Sequence, residues 1–276
     1  MDQFLANDST LIQHIIHQLN VQAGQNKIFS DQPPDPEAAA GVLLLLGNRE
    51  NRYQKDSEPC LILNKRSLKV RQPGDLCFPG GSVAPRLDSQ LAKLFSLPLT
   101  SLGRWKYWSR WKQTHPQTAR SLSLFWATGL RESFEEMRLN PFGVKFLGPL
   151  PPQSLVMFQR VIYPMAAWVR RQKRFFPNWE VDKIVYIPLT DLLDAANYRR
   201  YRLCLKTDKN QQSSNSGRDY PCFYFQSESG AEILWGATYR ITTLFMEYIF
   251  GFEPPTLETL PVVEGRLDQA YLTGHK

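Results

Sequence analysis

The stretch that decides the fold is RESFEE, Arg131–Glu136, taken with FPGG, Phe78–Gly81. In a helix turning about 100° per residue, Glu132, Glu135 and Glu136 fall within an arc of roughly 100°. Like charges so placed repel, and at i,i+4 they destabilise a helix by a few tenths of a kcal/mol. A solvated acidic face is one way to carry such a cluster. A bound cation is another, since hard divalent ions such as Mg²⁺ and Mn²⁺ prefer oxygen ligands. The opposite face reads Trp126, Leu130, Phe134 and Met137, an apolar stripe at helical spacing. The spacing predicts a core-packed helix over about 121–139 that shows a carboxylate face.

Together the two motifs resemble the signature of the Nudix hydrolases, Arg-Glu-x-x-Glu-Glu preceded by Gly-Gly. The run LILNKRSLKVRQPGDLCFPGG, Leu61–Gly81, is similar to the motif of the coenzyme A pyrophosphatase branch, through Arg66, Ser67, Arg71, Gly74 and Phe78–Gly81. The resemblance extends over roughly residues 40–250, where Pro188-Leu189, Leu192-Leu193 and Trp235-Gly236-Ala237-Thr238 also fit. It implies an α/β protein, a Nudix-type α/β/α sandwich with a mixed sheet. By the same resemblance Glu132, Glu135 and Glu136 hold Mg²⁺ or Mn²⁺, Arg131 orients them, and Gly80 and Gly81 bring backbone close to metal and phosphates. Arg66, Ser67 and Arg71 would meet the substrate, and arginines suit bidentate phosphate contacts. Lys65 and Lys69 belong to the same basic segment, which otherwise reads as a solvated loop. The proton of the attacking water would go to Glu180, with Asp182 as its neighbouring alternative, or to a helix glutamate.

The implied reaction is hydrolysis of the diphosphate bond of coenzyme A or acyl-coenzyme A to 3′,5′-ADP and (acyl-)4′-phosphopantetheine. Two other readings stand beside it. One is a Nudix diphosphatase for ADP-ribose or a dinucleoside polyphosphate; the other is a catalytically silent Nudix domain that only binds.

Composition sets the outer bounds. A chain of 276 residues with 42% hydrophobic and 12% aromatic residues can build a full core. No apolar run reaches the ~18 residues of a membrane span. The segment MDQFLANDST lacks a basic stretch followed by an apolar one, so no secretory signal is expected. Cys60, Cys77, Cys204 and Cys222 show no CxxC pairing, which fits core thiols of a reducing compartment, and cytoplasm is the expected location. The net charge of +7 favours anionic partners. An anionic small molecule of the coenzyme A type is expected, nucleic acid is not, and a homodimer is compatible with the sequence.

Along the chain, residues 9–22 carry an amphipathic helical pattern with Ser9 or Thr10 as N-cap, followed by a polar linker, Asp31–Glu37. Strands are expected at Gly41–Gly47, Cys60–Asn64, Val144–Leu150, Val161–Val169 and Lys183–Ile187, with weaker signals at Tyr201–Leu205 and Cys222–Phe225. A last helix is expected at 238–250, and KNQQSSNSGRD, 209–219, reads as a surface loop. This gives an N-terminal helix and linker over 1–38, a catalytic domain over 39–252 and a tail over 253–276.

Fifty positions separate Gly81 from Arg131, far more than the Nudix pattern has, so an insertion is expected at about 87–122. It contains RWKYWSRWK, with Trp105, Trp108 and Trp111 between Arg104, Lys106, Arg110 and Lys112. Such residues can stack on bases or sit at a lipid interface; a packed lid or an oligomer contact accounts for them equally. Leu87-Asp88 stand where the Nudix pattern has Glu, Arg138 stands where it has Gly, and Arg71 to Gly74 is one residue short.

Overall fold

In a computed structural model the residues described are 5, 7–25, 35–50, 57–155, 160–205, 218–227, 230–267 and 271. The expected loop at 209–219 lies almost wholly outside them, as do part of the linker Asp31–Glu37 and most of the chain beyond Leu267.

Helix α1, Asp8–Gln25, starts just before the predicted segment. Its cap is Asn7 and not Ser9 or Thr10: the Asn7 side chain accepts from Thr10 N at 3.0 Å, the contact that satisfies an orphan first-turn donor. Leu11, Ile15, Ile16 and Leu19 are buried and share one continuous core with the sheet. A Cβ on Gly148 would sit 2.7 Å from the Leu19 side chain, so this helix packs directly on the strand that carries Gly148.

The strands follow as β1 (Ala39–Glu50), β2 (Ser57–Arg66), β3 (Leu76–Cys77), β4 (Gly80–Ser82), β5 (Val144–Pro149), β6 (Gln153–Leu155), β7 (Arg160–Val169) and β8 (Val181–Pro188). They form one mixed sheet whose main path runs β3-β2-β1-β7-β5, with β4 on β1, β6 on β7 and β8 on β2. β1 runs parallel to β7, with Leu43 opposite Met165, and antiparallel to β2, with Leu45 opposite Ile62. A second sheet, β11-β10-β9-β12, is built from β9 (Tyr198–Leu205), β10 (Arg218–Ser227), β11 (Gly230–Trp235) and β12 (Val262–Leu267). The two weak strand signals are thus full strands. Their alternation is diluted by arginines that pair across the sheet, as Arg202 does with Asp219 at 2.8 Å.

Between β4 and β5 come α2 (Pro85–Phe95), α3 (Trp108–Thr114) and α4 (Pro116–Met137). A short α5 (Leu189–Leu192) and α6 (Gly236–Phe250) complete the mixed α/β fold. Helix α4 begins earlier than predicted because Pro116 sits in its first turn, where a missing N–H costs nothing. Trp126, Leu130 and Met137 are fully buried, but Phe134 is 45% exposed. It stands about 80° around the helix from Trp126, at the margin of the stripe, whereas Leu130 and Met137 lie within about 40°. Helix and sheet approach closely at Gly129, where a Cβ would fall 2.7 Å from Leu43.

The expected insertion is a packed layer. Trp105, Trp108 and Trp111 are 4%, 4% and 8% exposed, and Trp105 packs edge-on against Phe146 at 5.0 Å. Their rings are therefore not a surface for bases or lipid.

Arg138 ends α4 in the left-handed region, φ 56° and ψ 37°, doing with a side chain what Gly usually does there. Its carbonyl accepts from Gln172 Nε2 at 2.9 Å and its guanidinium lies over the Phe134 ring. Arg138→Gly is expected to raise stability by up to ~1 kcal/mol, the left-handed penalty less the added unfolded-state entropy. Urea titration at unchanged m-value checks this.

Candidate active site

The C-terminal half of α4 lies against β4, and the close approach of the two elements sets the site. Gly80 has φ 144°, a conformation open to glycine, and its N–H donates to Glu136 Oε2 at 3.2 Å. A Cβ on Gly81 would fall 2.6 Å from the Glu132 carboxyl carbon. The two glycines thus sit directly on the glutamate face.

Glu136 is the most deeply placed of the three glutamates. Its Oε2 also accepts from Asn64 Nδ2 at 2.9 Å. Asn64 is 1% exposed, and its Oδ1 has no hydrogen-bond partner. Burial, helped by the charges of Glu132 and Glu180, pushes the Glu136 carboxyl up to about 8, while the Gly80 N–H and Arg66 pull the other way. Glu132 is also raised, first by burial and further by Glu135, against the pull of Arg131. Glu135 is half exposed.

Arg131 fixes this face from below. Its guanidinium meets Asp88 Oδ1 at 2.7 Å, Glu132 at 3.0 Å, Glu135 at 3.3 Å and the Ser82 carbonyl at 3.0 Å. Asp88 is fully buried and also accepts from Ala84 N at 2.7 Å and Thr128 Oγ1 at 2.8 Å. Asp88, placed by α2 at the start of the insertion, is therefore the group that orients Arg131. Its oxygens are fully engaged within the protein.

Glu180 is half-buried and close enough to Glu136 for its charge to be felt there; Asp182 is exposed. Ser67 N donates to the Glu180 carbonyl at 2.8 Å, which brings the basic loop beside it. Within that loop Arg66 Nε reaches the Arg71 carbonyl at 2.7 Å, and the charge of Arg66 is felt at Glu136. Arg71 and Lys69 are exposed. Lys65 is spoken for: with Lys183 it flanks the buried Glu232, at 2.9 and 2.7 Å. The loop is closed by Asp75, which accepts from Trp235 Nε1 at 3.1 Å and Tyr271 OH at 2.6 Å.

The structure thus brings together Gly80, Gly81, Arg131, Glu132, Glu136, Glu180 and Arg66, and leaves Arg71 and Glu135 toward solvent. Sequence reading passed over Asn64 and gave Asp88 no partner. A polar residue closing the apolar run LIL was the available signal for Asn64.

As their side chains stand, no three His, Cys, Asp or Glu among the described residues converge to hold a metal ion. The donor set nevertheless suits a hard divalent cation. It offers carboxylates with raised pKa values, a buried amide oxygen without a partner, and no thiolate or imidazole.

No family model matches the chain. A curated protein described as the uncharacterized Nudix hydrolase NudL of Pectobacterium atrosepticum is 27% identical over 186 residues, which span 66% of this chain and 71% of that one. Among solved structures, the chain is similar to the M. smegmatis Nudix hydrolase RenU, with 11% identity, 56% and 73% of the two chains covered and a TM-score of 0.35. It is also similar to the NUDIX domain of Shewanella oneidensis NrtR in complex with ADP ribose, with 14% identity, 63% and 85% covered and a TM-score of 0.35. The curated relative supports the Nudix hydrolase family and a hydrolase.

Proposed function

We propose that this chain is a Nudix diphosphatase that uses Mg²⁺ or Mn²⁺ to cleave the diphosphate bond of a nucleoside diphosphate derivative, with coenzyme A or its thioesters as substrate. The observation that carries this reading is Glu136: a part-buried carboxyl held by Gly80 N–H and Asn64, crowded by Glu132 and Glu180. A fold keeps such an arrangement at a cost in stability, and a cation or a proton relieves it.

Glu132, Glu135 and Glu136 would hold the metal. Bound there, a divalent ion neutralises diphosphate charge and lowers the pKa of the attacking water. The chain's own groups do the rest. Arg131, fixed by Asp88, keeps the glutamates from turning away. Glu180 would take the proton, and Arg66, joined by the exposed Arg71, would bring guanidinium charge to the substrate's phosphates. Positioning and charge are most of what phosphoryl transfer requires. The preference for coenzyme A rests on the match of Arg66, Ser67, Arg71, Gly74 and Phe78–Gly81 to that branch's motif.

Gly81→Ala tests the contact with Glu132. The added methyl meets the end of a flexible side chain, so the fold should survive. Metal affinity should fall about 10- to 100-fold, the range for losing a group that orients a ligand. Titration of Mn²⁺ against activity measures it.

Comparing kcat/KM for coenzyme A, dephospho-coenzyme A and ADP-ribose tests the substrate. Preference for the 3′-phosphorylated compound is expected. Faster turnover of ADP-ribose would move the assignment to another Nudix substrate and leave the site unchanged.

A further inference from the structure

A cavity of about 430 Å³ lies where the segment between α2 and α3 meets α1 and β5. This is the far edge of the main sheet from β2 and β3, and no residue of the glutamate face lines it. Arg104, Lys106, Lys145 and Arg170 line it, and no carboxylate does. None of the four forms an ion pair among the described residues. Burial, then the charges of Arg170 and Lys106, hold the Lys145 ammonium below its ordinary value. Positive charge is therefore concentrated at one place with no carboxylate in the wall, Lys106 alone lying over an aromatic ring, that of Tyr107, at 4.9 Å.

The rest of the wall adds an aromatic face and a hydroxyl. Trp105 lines the same cavity at 4% exposure, with its indole N–H closed off inside the fold. Ser101, also in the wall, accepts from Trp126 Nε1 at 3.0 Å, which leaves its own proton to donate. Beside these polar groups, Leu99 and Phe142 are 78% and 67% exposed and line the cavity, offering apolar surface. A concave site of this size, with polar and apolar wall side by side and a few convergent polar groups, suits a small molecule that carries both kinds of surface.

We propose that this cavity is a second binding site, separate from the glutamate face, for a phosphate monoester with an apolar substituent. The phosphate would lie among the four cations and the Ser101 hydroxyl, and the substituent against Leu99 and Phe142. Two guanidinium and two ammonium groups exceed what a single carboxylate charge would balance. The guanidinium fork also matches phosphate oxygens in pairs. The inference stands on the cavity alone and does not depend on the reaction proposed above.

Phenyl phosphate is the probe, titrated calorimetrically into the full chain with chelator present so that no divalent ion recruits it to the glutamates. Saturable binding is expected, weakening with added salt and by at least about tenfold in Lys145→Glu/Arg170→Glu, since two attractive charges become repulsive. Arg104→Glu, at an exposed position in the wall, should weaken binding severalfold; it serves if the double variant melts early. Inorganic phosphate should bind more weakly than phenyl phosphate. Diphosphatase turnover should be unchanged in both variants. Absence of saturable binding, equal affinity in wild type and a folded variant, or inorganic phosphate binding as tightly as the ester would overturn the proposal.

Discussion

Glu136→Gln is expected to abolish metal-dependent turnover while making the metal-free protein more stable. The loss should be at least about 10²- to 10³-fold, the scale for removing one preorganised electrostatic contact from a charged transition state. The gain in stability follows from the same environment. Burial raises the Glu136 carboxyl from its ordinary 4.5 to about 8 in the folded chain. The charged form is therefore disfavoured by folding. The penalty is absent below pH 4.5, grows as pH rises, and is complete near pH 8. Glutamine keeps the shape and can still accept from Asn64 and Gly80, but carries no charge. At pH 7 the variant should gain on the order of 1–3 kcal/mol over metal-free wild type, an advantage that vanishes toward pH 4. Thermal melts across that pH range, in chelator, measure it. Adding Mn²⁺ should raise the wild-type midpoint and leave that of the variant almost unmoved. A residue serving only the fold would show the opposite sign.

Arg131→Ala should carry the largest cost in stability. The guanidinium joins Asp88, Glu132, Glu135 and the Ser82 carbonyl, so its removal strands several groups at once. Asp88 decides the magnitude, being fully buried and left with only Ala84 N and Thr128 Oγ1. Breaking a buried pair from one side typically costs about 3–5 kcal/mol. Asp88→Asn in the same background should recover part of that loss, because the amide needs no counter-charge. A double-mutant cycle on equilibrium unfolding gives the coupling, expected to exceed about 1 kcal/mol for groups in one network. Activity should fall even where the fold persists, since Glu132 and Glu135 lose their common anchor.

The helix that carries the glutamates was legible because Trp126, Leu130 and Met137 repeat at helical spacing and all three are buried. Gly80 and Gly81 were legible as a pair, but what they approach was not. Glu132 and Glu136 reach them from some fifty residues further along the chain. Distance in sequence also hid Asp88, 43 residues from Arg131, and Asn64, 72 residues from Glu136. Each bears a polar side chain whose role exists only once the sheet has closed. The tryptophans of the insertion show a different limit. Their i, i+3, i+6 spacing between basic residues is the same for a stacking surface and for a buried layer, and only Phe146 and Asn20, on other elements, decide between them. The left-handed end at Arg138 was visible as a departure from Gly, while the Gln172 contact that holds it was not.

The most direct measurement is product analysis after incubating wild type and Glu136→Gln with coenzyme A and Mn²⁺. The account predicts 3′,5′-ADP and 4′-phosphopantetheine from wild type and neither from the variant, with both proteins folded. Equal turnover by Glu136→Gln would contradict the site. No cleavage by folded wild type of coenzyme A, ADP-ribose or a dinucleoside polyphosphate would contradict the reaction itself.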